Sequence, residues 1–256
     1  MMRRTGSRLA PSVAIENALY NDIRQVIDAM FGGIDSAIRR ERLYDAKEKA
    51  RAMFAKEGRR ITRDFINRVV NHTRRAFHSS TKGFKAKAQD DLHKAKSVRR
   101  IDRRWRDCEE AIKSIPEVFF DKVDSAVRLY NEGEITDYAF FNRVGDLKRQ
   151  TYTRAKLIAR NENSGATEDL FLSRCDESKI RLVKWCHSHL SEKPRDYHLR
   201  RWDGHSGRRN GKPNGLNGYI FDLSKPPVID QKTGERGYPA QLINCRCFLV
   251  PVEEEP

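Results

Sequence analysis

The residue types that ligate metals or act as nucleophiles gather near the C-terminal end of this 256-residue chain. Four of the five cysteines and four of the seven histidines follow residue 174: Cys175, Cys186, His187, His189, His198 and His205, then Cys245-Arg246-Cys247. A zinc site takes four soft or borderline ligands in tetrahedral geometry, often as short-spaced pairs from two loops. Cys-x-Cys is a usable half-site, and Cys186 or His198 would complete it, so the candidate metal set is Cys186, His198, Cys245 and Cys247. The spacing matches no standard finger. The competing reading is of thiols packed as small hydrophobes beside surface histidines. The expectation is no resident cofactor, with zinc as the alternative.

Two catalytic constellations can be drawn from the same residues. His198, Asp203, His205 and Asn210 are the types a ββα-metal nuclease uses as general base, metal ligand and loop anchor. The sequence lacks the hairpin and helix that should flank them, and a Gly-rich stretch from Gly204 to Gly218 follows instead. A Cys186–His198 nucleophile pair is formally available, but nothing in the sequence suggests a lowered thiol pKa. There is no Gly-x-x-x-x-Gly-Lys-Ser/Thr loop, no Gly-x-Gly-x-x-Gly and no His-Glu-x-x-His. The chain reads as a non-enzyme, with a metal-dependent nuclease as the catalytic alternative.

The elements that must position these residues are mostly helices. Apolar residues at Ile15, Leu19, Ile23, Val26, Ile27 and Met30 have helical spacing, and Gly32-Gly33 ends the run. A second helix is expected from about Asp35 to Lys56, stopped by Gly58, and a third from Thr62 through Phe65, Val69 and Phe77. Pro116 is expected in the first turn of a helix carrying Phe119, Val123, Ala126 and Tyr130. Thr136 is a candidate N-cap for a long helix ending near Asn163, with a short helix over 167–174 after Ser164-Gly165. Strands are expected at Ile180–Trp185, Tyr219–Phe221 and Phe248–Val252, with turns between them. The fold class is therefore α+β: an elongated, mostly helical N-terminal region followed by a small, loop-rich α+β C-terminal domain. Residues 1–12 are expected to be a disordered tail, 13–110 a helical basic region, and 111–256 the domain of long helices and small sheet. The stripes at Ile15–Met30 and Ile38–Phe54 lack enough apolar surface nearby to close a core, and are expected to bury against another chain.

Charge separates the chain into unequal parts. The whole carries 51 Lys/Arg against 36 Asp/Glu. Between Arg51 and Arg106 stand eighteen Lys/Arg and five Asp/Glu, so almost all of the excess of +15 lies there. Within it are Arg59, Arg60, Arg74, Arg75, Lys82, Lys85, Lys87, Lys94, Lys96, Arg99, Arg100, Arg103, Arg104 and Arg106. Such a cluster is suited to phosphates, since each neutralised phosphate releases condensed counterions. No aromatic residues interleave to stack bases, so the expected contact is with the backbone of double-stranded DNA, without sequence preference. No apolar run approaches a membrane span, no secretion signal is read after the basic start, and the odd cysteine count suits a reducing compartment.

Four motifs in order resemble the phage Mu F-like minor head (head morphogenesis) family. Ile243-Asn244-Cys245-Arg246-Cys247, followed by Phe248-Leu249-Val250-Pro251, resembles the family's terminal NCRC signature. Gly133-Glu134-Ile135-Thr136 resembles its turn and helix start, and Ala159-Arg160-Asn161-Glu162 its ARTE, with Asn161 where the family has Thr. Val183-Lys184-Trp185, then Arg195, His198 and Trp202-Asp203-Gly204, resemble its W…R..H..(L/W)DG stretch. The resemblance covers roughly residues 112–252 and leaves the basic segment outside.

The resemblance implies a structural component of a tailed bacteriophage head, associated with the portal and other head proteins inside the procapsid and touching packaged DNA. Some members travel into the host with it. The implied location is the virion, with the host cytoplasm during assembly. The motif residues Arg160, Glu162, Trp185, His198, Asp203, Gly204, Asn244, Cys245 and Cys247 would then be structural. An Arg160–Glu162 interaction is expected to set how the long helix meets the sheet. His198, Asp203 and the cysteine pair are expected to knot loops poor in apolar residues. The alternative is a sequence-nonspecific architectural DNA-binding protein.

Overall fold

Trp185 lies in a sheet assembled from three distant parts of the chain, and the two final cysteines stand just before its last strand. In the computed structural model, residues 3–6, 9–32, 34, 42–85, 92, 95–190, 194–202, 206–207 and 212–254 are described. Strands β1 (Arg3–Thr5), β2 (Leu182–Cys186), β5 (Ile220–Asp222) and β6 (Phe248–Glu254) form an antiparallel sheet in the order β1-β6-β2-β5. Two short strands, β3 (Ser206–Gly207) and β4 (Lys212–Pro213), pair separately. The helices are α1 (Val13–Phe31), α2 (Leu43–Ser80), α3 (Ala95–Asn131), α4 (Asp137–Ser178) and the single-turn α5 (Asp196–Leu199). A mostly helical chain with a small sheet near its C-terminus is the α+β class expected. No described helix is long and apolar enough to cross a membrane.

The chain divides into two compact units that interleave along the sequence. One comprises Met1–Val13, Ile66–Arg104 and Asn161–Pro256, and the other Ala14–Phe65 and Trp105–Arg160. The boundary expected at 110/111 falls inside α3, because the helices run on where turns were expected. Gly58 does not stop α2: it lets Ile112 of α3 approach, its methyl lying 3.4 Å from where a Cβ would stand. Pro116 sits inside α3. It forfeits a ladder hydrogen bond, a cost of about 3 kcal/mol, but Ile112, Ile115, Phe119 and Phe120 around it are all buried. Gly165 does not end α4 either. A Cβ there would lie 2.7 Å from the Arg104 guanidinium carbon, so the missing side chain is a slot for Arg104. Thr136 does cap α4 as expected, its Oγ1 accepting from the Ala139 N–H at 3.3 Å.

The second unit buries the stripe that was expected to need another chain. Leu19, Ile23, Val26, Ile27 and Met30 of α1 are buried within this one. Phe31 packs against Phe119 and Tyr152, with ring centroids 5.0 and 5.7 Å apart. The expectation failed because α3 and α4, which had been assigned to a separate C-terminal domain, supply the covering surface. Of the second stripe, Ala50 and Phe54 are buried, and Ile38 lies outside the described residues.

In the first unit, the expected disordered tail is an ordered edge of the sheet over residues 3–6. The register sets Arg4 against Glu253 and Thr5 against Val252, and the Gly6 N–H donates to the Pro251 carbonyl at 2.9 Å. Leu9 is buried in a core with Phe77, Phe171, Val183, Trp185, Leu216, Phe221 and Leu249. A short chain with one apolar anchor and a free strand edge to pair with does not behave as a tail.

Candidate functional site

The turn before Cys245 is held from two sides. The backbone N–H of Asn244 donates to Oδ1 of Asn161 at 3.0 Å. The Arg195 guanidinium donates to the Ile243 carbonyl at 3.2 Å. Asn244 itself adopts φ 62°, a left-handed conformation that Asn tolerates better than most residues. Beyond this turn the chain enters β6, whose register sets Leu249 opposite Trp185 and Phe248 opposite Cys186.

Cys245 and Cys247 both face His198. Their sulfurs lie 3.6 and 3.8 Å from its Nδ1. The other ring nitrogen, Nε2, is 2.9 Å from the Ile229 carbonyl, an acceptor only, so Nε2 carries the proton and donates. Trp185 packs edge-on against the same ring, with centroids 5.2 Å apart. All of these side chains are buried. The hydrogen bond from Cys247 holds the Cys245 thiol well below its ordinary pKa. The same sharing with Cys245, and then burial, pushes Cys247 up. One proton between two sulfurs accounts for both directions.

Among the described residues, His198, Cys245 and Cys247 are the group whose ligand atoms converge, all within 4.8 Å of one another. Cys186 is not part of it. It follows Trp185 on β2, so the strand's alternation turns it to the opposite face, and it is only half-buried. His187 and His189 pack on each other, and the His189 N–H donates to His187 Nδ1 at 3.0 Å. Asp203, Gly204, His205 and Asn210 lie outside the described residues, so the nuclease constellation is left at His198 alone. The Arg160 guanidinium, expected to meet Glu162, pairs with Glu16 at 3.8 Å.

A buried polar face on α4 was not anticipated. Asn163, Ser164, Thr167, Glu168, Asp169, Ser173, Arg174, Glu177 and Ser178 are all buried. Ser97 donates to Glu177 at 2.9 Å and Arg174 to the Val70 carbonyl at 3.3 Å. Glu168 is buried on this face, outside the group of ligand atoms that converge at His198. Burial raises its pKa well above the ordinary carboxyl value. In the sequence this stretch was divided between a helix ending near Asn163 and a short helix over 167–174, and its polar residues carried no expectation of burial.

The basic segment proves to be two surfaces. Arg104 and Arg103 pair with Asp169 at 2.6 and 2.9 Å, and Arg100 and Lys96 with Asp176 at 2.9 and 3.1 Å. The side chains of Arg100 and Arg104 are only 18% and 21% exposed. These two brace α3 against the acidic residues of α4 and are not free phosphate ligands, which corrects their assignment. Arg59 pairs with Glu109 at 3.3 Å and Arg60 with Glu57 at 2.8 Å, both as exposed pairs of little strength. Arg74, Arg75, Lys82, Lys85, Arg99 and Arg106 are exposed. Lys87 and Lys94 lie outside the described residues.

No family model matches the chain. A Haemophilus influenzae protein described as "Uncharacterized protein" is 28% identical over 143 residues, which is 56% of this chain and 27% of that one. This chain therefore spans about a quarter of the length of the relative it matches. No solved structure matches.

Proposed function

We propose that this chain is a structural minor capsid protein of a tailed bacteriophage, without catalytic activity, that associates with the portal and other head proteins and touches packaged DNA through its exposed arginines. Its place would be the head interior, and the host cytoplasm during assembly. The observation that carries this reading is the meeting of three motifs at one turn. Asn161 of the ARTE-like motif and Arg195 of the W…R..H motif both hold Ile243-Asn244 of the NCRC-like motif, and His198 faces the two cysteines that follow. Motifs up to 83 residues apart that serve one local structure are what a shared domain requires, and chance matches scattered along a chain have no reason to meet. The exposed Arg74, Arg75, Arg99 and Arg106 suit backbone contact with DNA.

The test is co-sedimentation of the full chain with procapsids assembled with and without portal. The expected result is incorporation that depends on the portal. Equal recovery with both, or none with either, would overturn the reading. A free protein that binds DNA but no procapsid would instead support the architectural alternative.

A further inference from the structure

We propose that His198, Cys245 and Cys247 bind a zinc ion, with Nδ1 and the two Sγ atoms, which converge within 4.8 Å of one another, as ligands and as a clamp for a part of the fold that has little apolar content of its own. A tetrahedral zinc with Zn–S of about 2.3 Å and Zn–N of about 2.0–2.1 Å holds nitrogen and sulfur about 3.6 Å apart. The observed separations are 3.6 and 3.8 Å. A single Nδ1 lone pair accepts one S–H well, whereas two sulfurs converging on it are what a shared metal imposes.

The second shell fits as well. A metal-bound histidine almost always donates its other N–H to a carbonyl or carboxylate, and His198 Nε2 is committed to the Ile229 carbonyl. Thiolate ligands together with imidazole select zinc over magnesium or calcium. Both sulfurs bind as thiolates, so binding releases the proton they share.

The clamp would join the segment just before β6 to α5, both within one compact unit. It does not depend on the head-protein reading, since a metal-stabilised domain could serve any partner.

The experiment is metal analysis of the full chain purified without chelator, followed by exchange into cobalt. The expected outcome is about one zinc per chain, and a cobalt form with thiolate charge-transfer and tetrahedral d–d bands. Cys186→Ser should keep the metal, and Cys245→Ser should lose it. Metal-free protein with both Cys245 and Cys247 titrating as thiols would overturn the proposal, as would a Cys245–Cys247 disulfide. The cobalt spectrum is read on the parent chain, so the test stands even if Cys245→Ser fails to fold.

Discussion

Asn161 Oδ1 accepts the backbone N–H of Asn244 at 3.0 Å across 83 residues of sequence, tying the middle of α4 to the turn that delivers Cys245 and Cys247. The hydrogen bond requires an acceptor at 161 and a residue at 244 that tolerates φ 62°. Asn161→Ala should cost about 1 kcal/mol, while Asn161→Thr, which keeps an oxygen acceptor, should cost less. Asn244→Val should cost roughly 1–2 kcal/mol through backbone strain. Urea unfolding of the three variants checks this. Equal stability of Asn161→Ala and the parent would show that the turn holds itself.

Gly165 gives a test whose sign reverses. In an ordinary helix, Gly→Ala gains about 1 kcal/mol. Here the new methyl would displace the Arg104 guanidinium from its 2.6 Å contact with Asp169, so Gly165→Ala should destabilise the parent chain. With Arg104 truncated to Ala the slot is vacant, and the same substitution should stabilise by about 1 kcal/mol. A double-mutant cycle by thermal melting reads the reversal. Stabilisation in both backgrounds would mean that the helix, not the arginine, dictates glycine there.

DNA binding should depend on the outward arginines. Replacing Arg74, Arg75, Arg99 and Arg106 by Gln should reduce the slope of log affinity against log salt by up to roughly 3–4 on double-stranded DNA. Replacing Arg100 and Arg104 should leave the slope near the parent value and lower stability instead, because their partners Asp176 and Asp169 are left with less compensation. Filter binding at several salt concentrations separates the two. An unchanged slope in the first set would remove this surface as the contact.

Acid stability should report on Glu109. The Lys113 hydrogen bond first, and then its charge and the Arg59 hydrogen bond, hold this carboxyl below its ordinary pKa of 4.5. The folded pKa is depressed, so the contribution is complete above 4.5 and is lost as pH falls through the lower folded value. Between about pH 5 and about pH 3 the parent should therefore lose more stability than Glu109→Gln. Parallel losses in denaturant titrations at the two pH values would show that the Glu109 ion pairs do not stabilise the fold.

Local pattern in the sequence determined the helix faces, the strand cores and the cysteine half-site. Leu19, Ile23 and Ile27 recur at helical spacing, and Val183 with Trp185 alternates as a strand does, because these periodicities belong to the backbone itself. Where glycine and proline were read as stops, tertiary packing decided otherwise. Ile112 against Gly58 and Arg104 against Gly165 turn apparent breakers into close approaches, and buried neighbours hold Pro116 in its helix. Charge was legible as a total, but its division was not. Whether an arginine meets solvent, like Arg74, or an aspartate, like Arg104, depends on the helix that lies alongside. The same holds for the site. Composition offered four C-terminal histidines and four cysteines, and only the crossing of α5 with the end of the chain selected His198, Cys245 and Cys247. Ligand geometry is a distance between residues 47 or 49 positions apart, which no local pattern contains. The burial of Glu168 likewise came from tertiary packing.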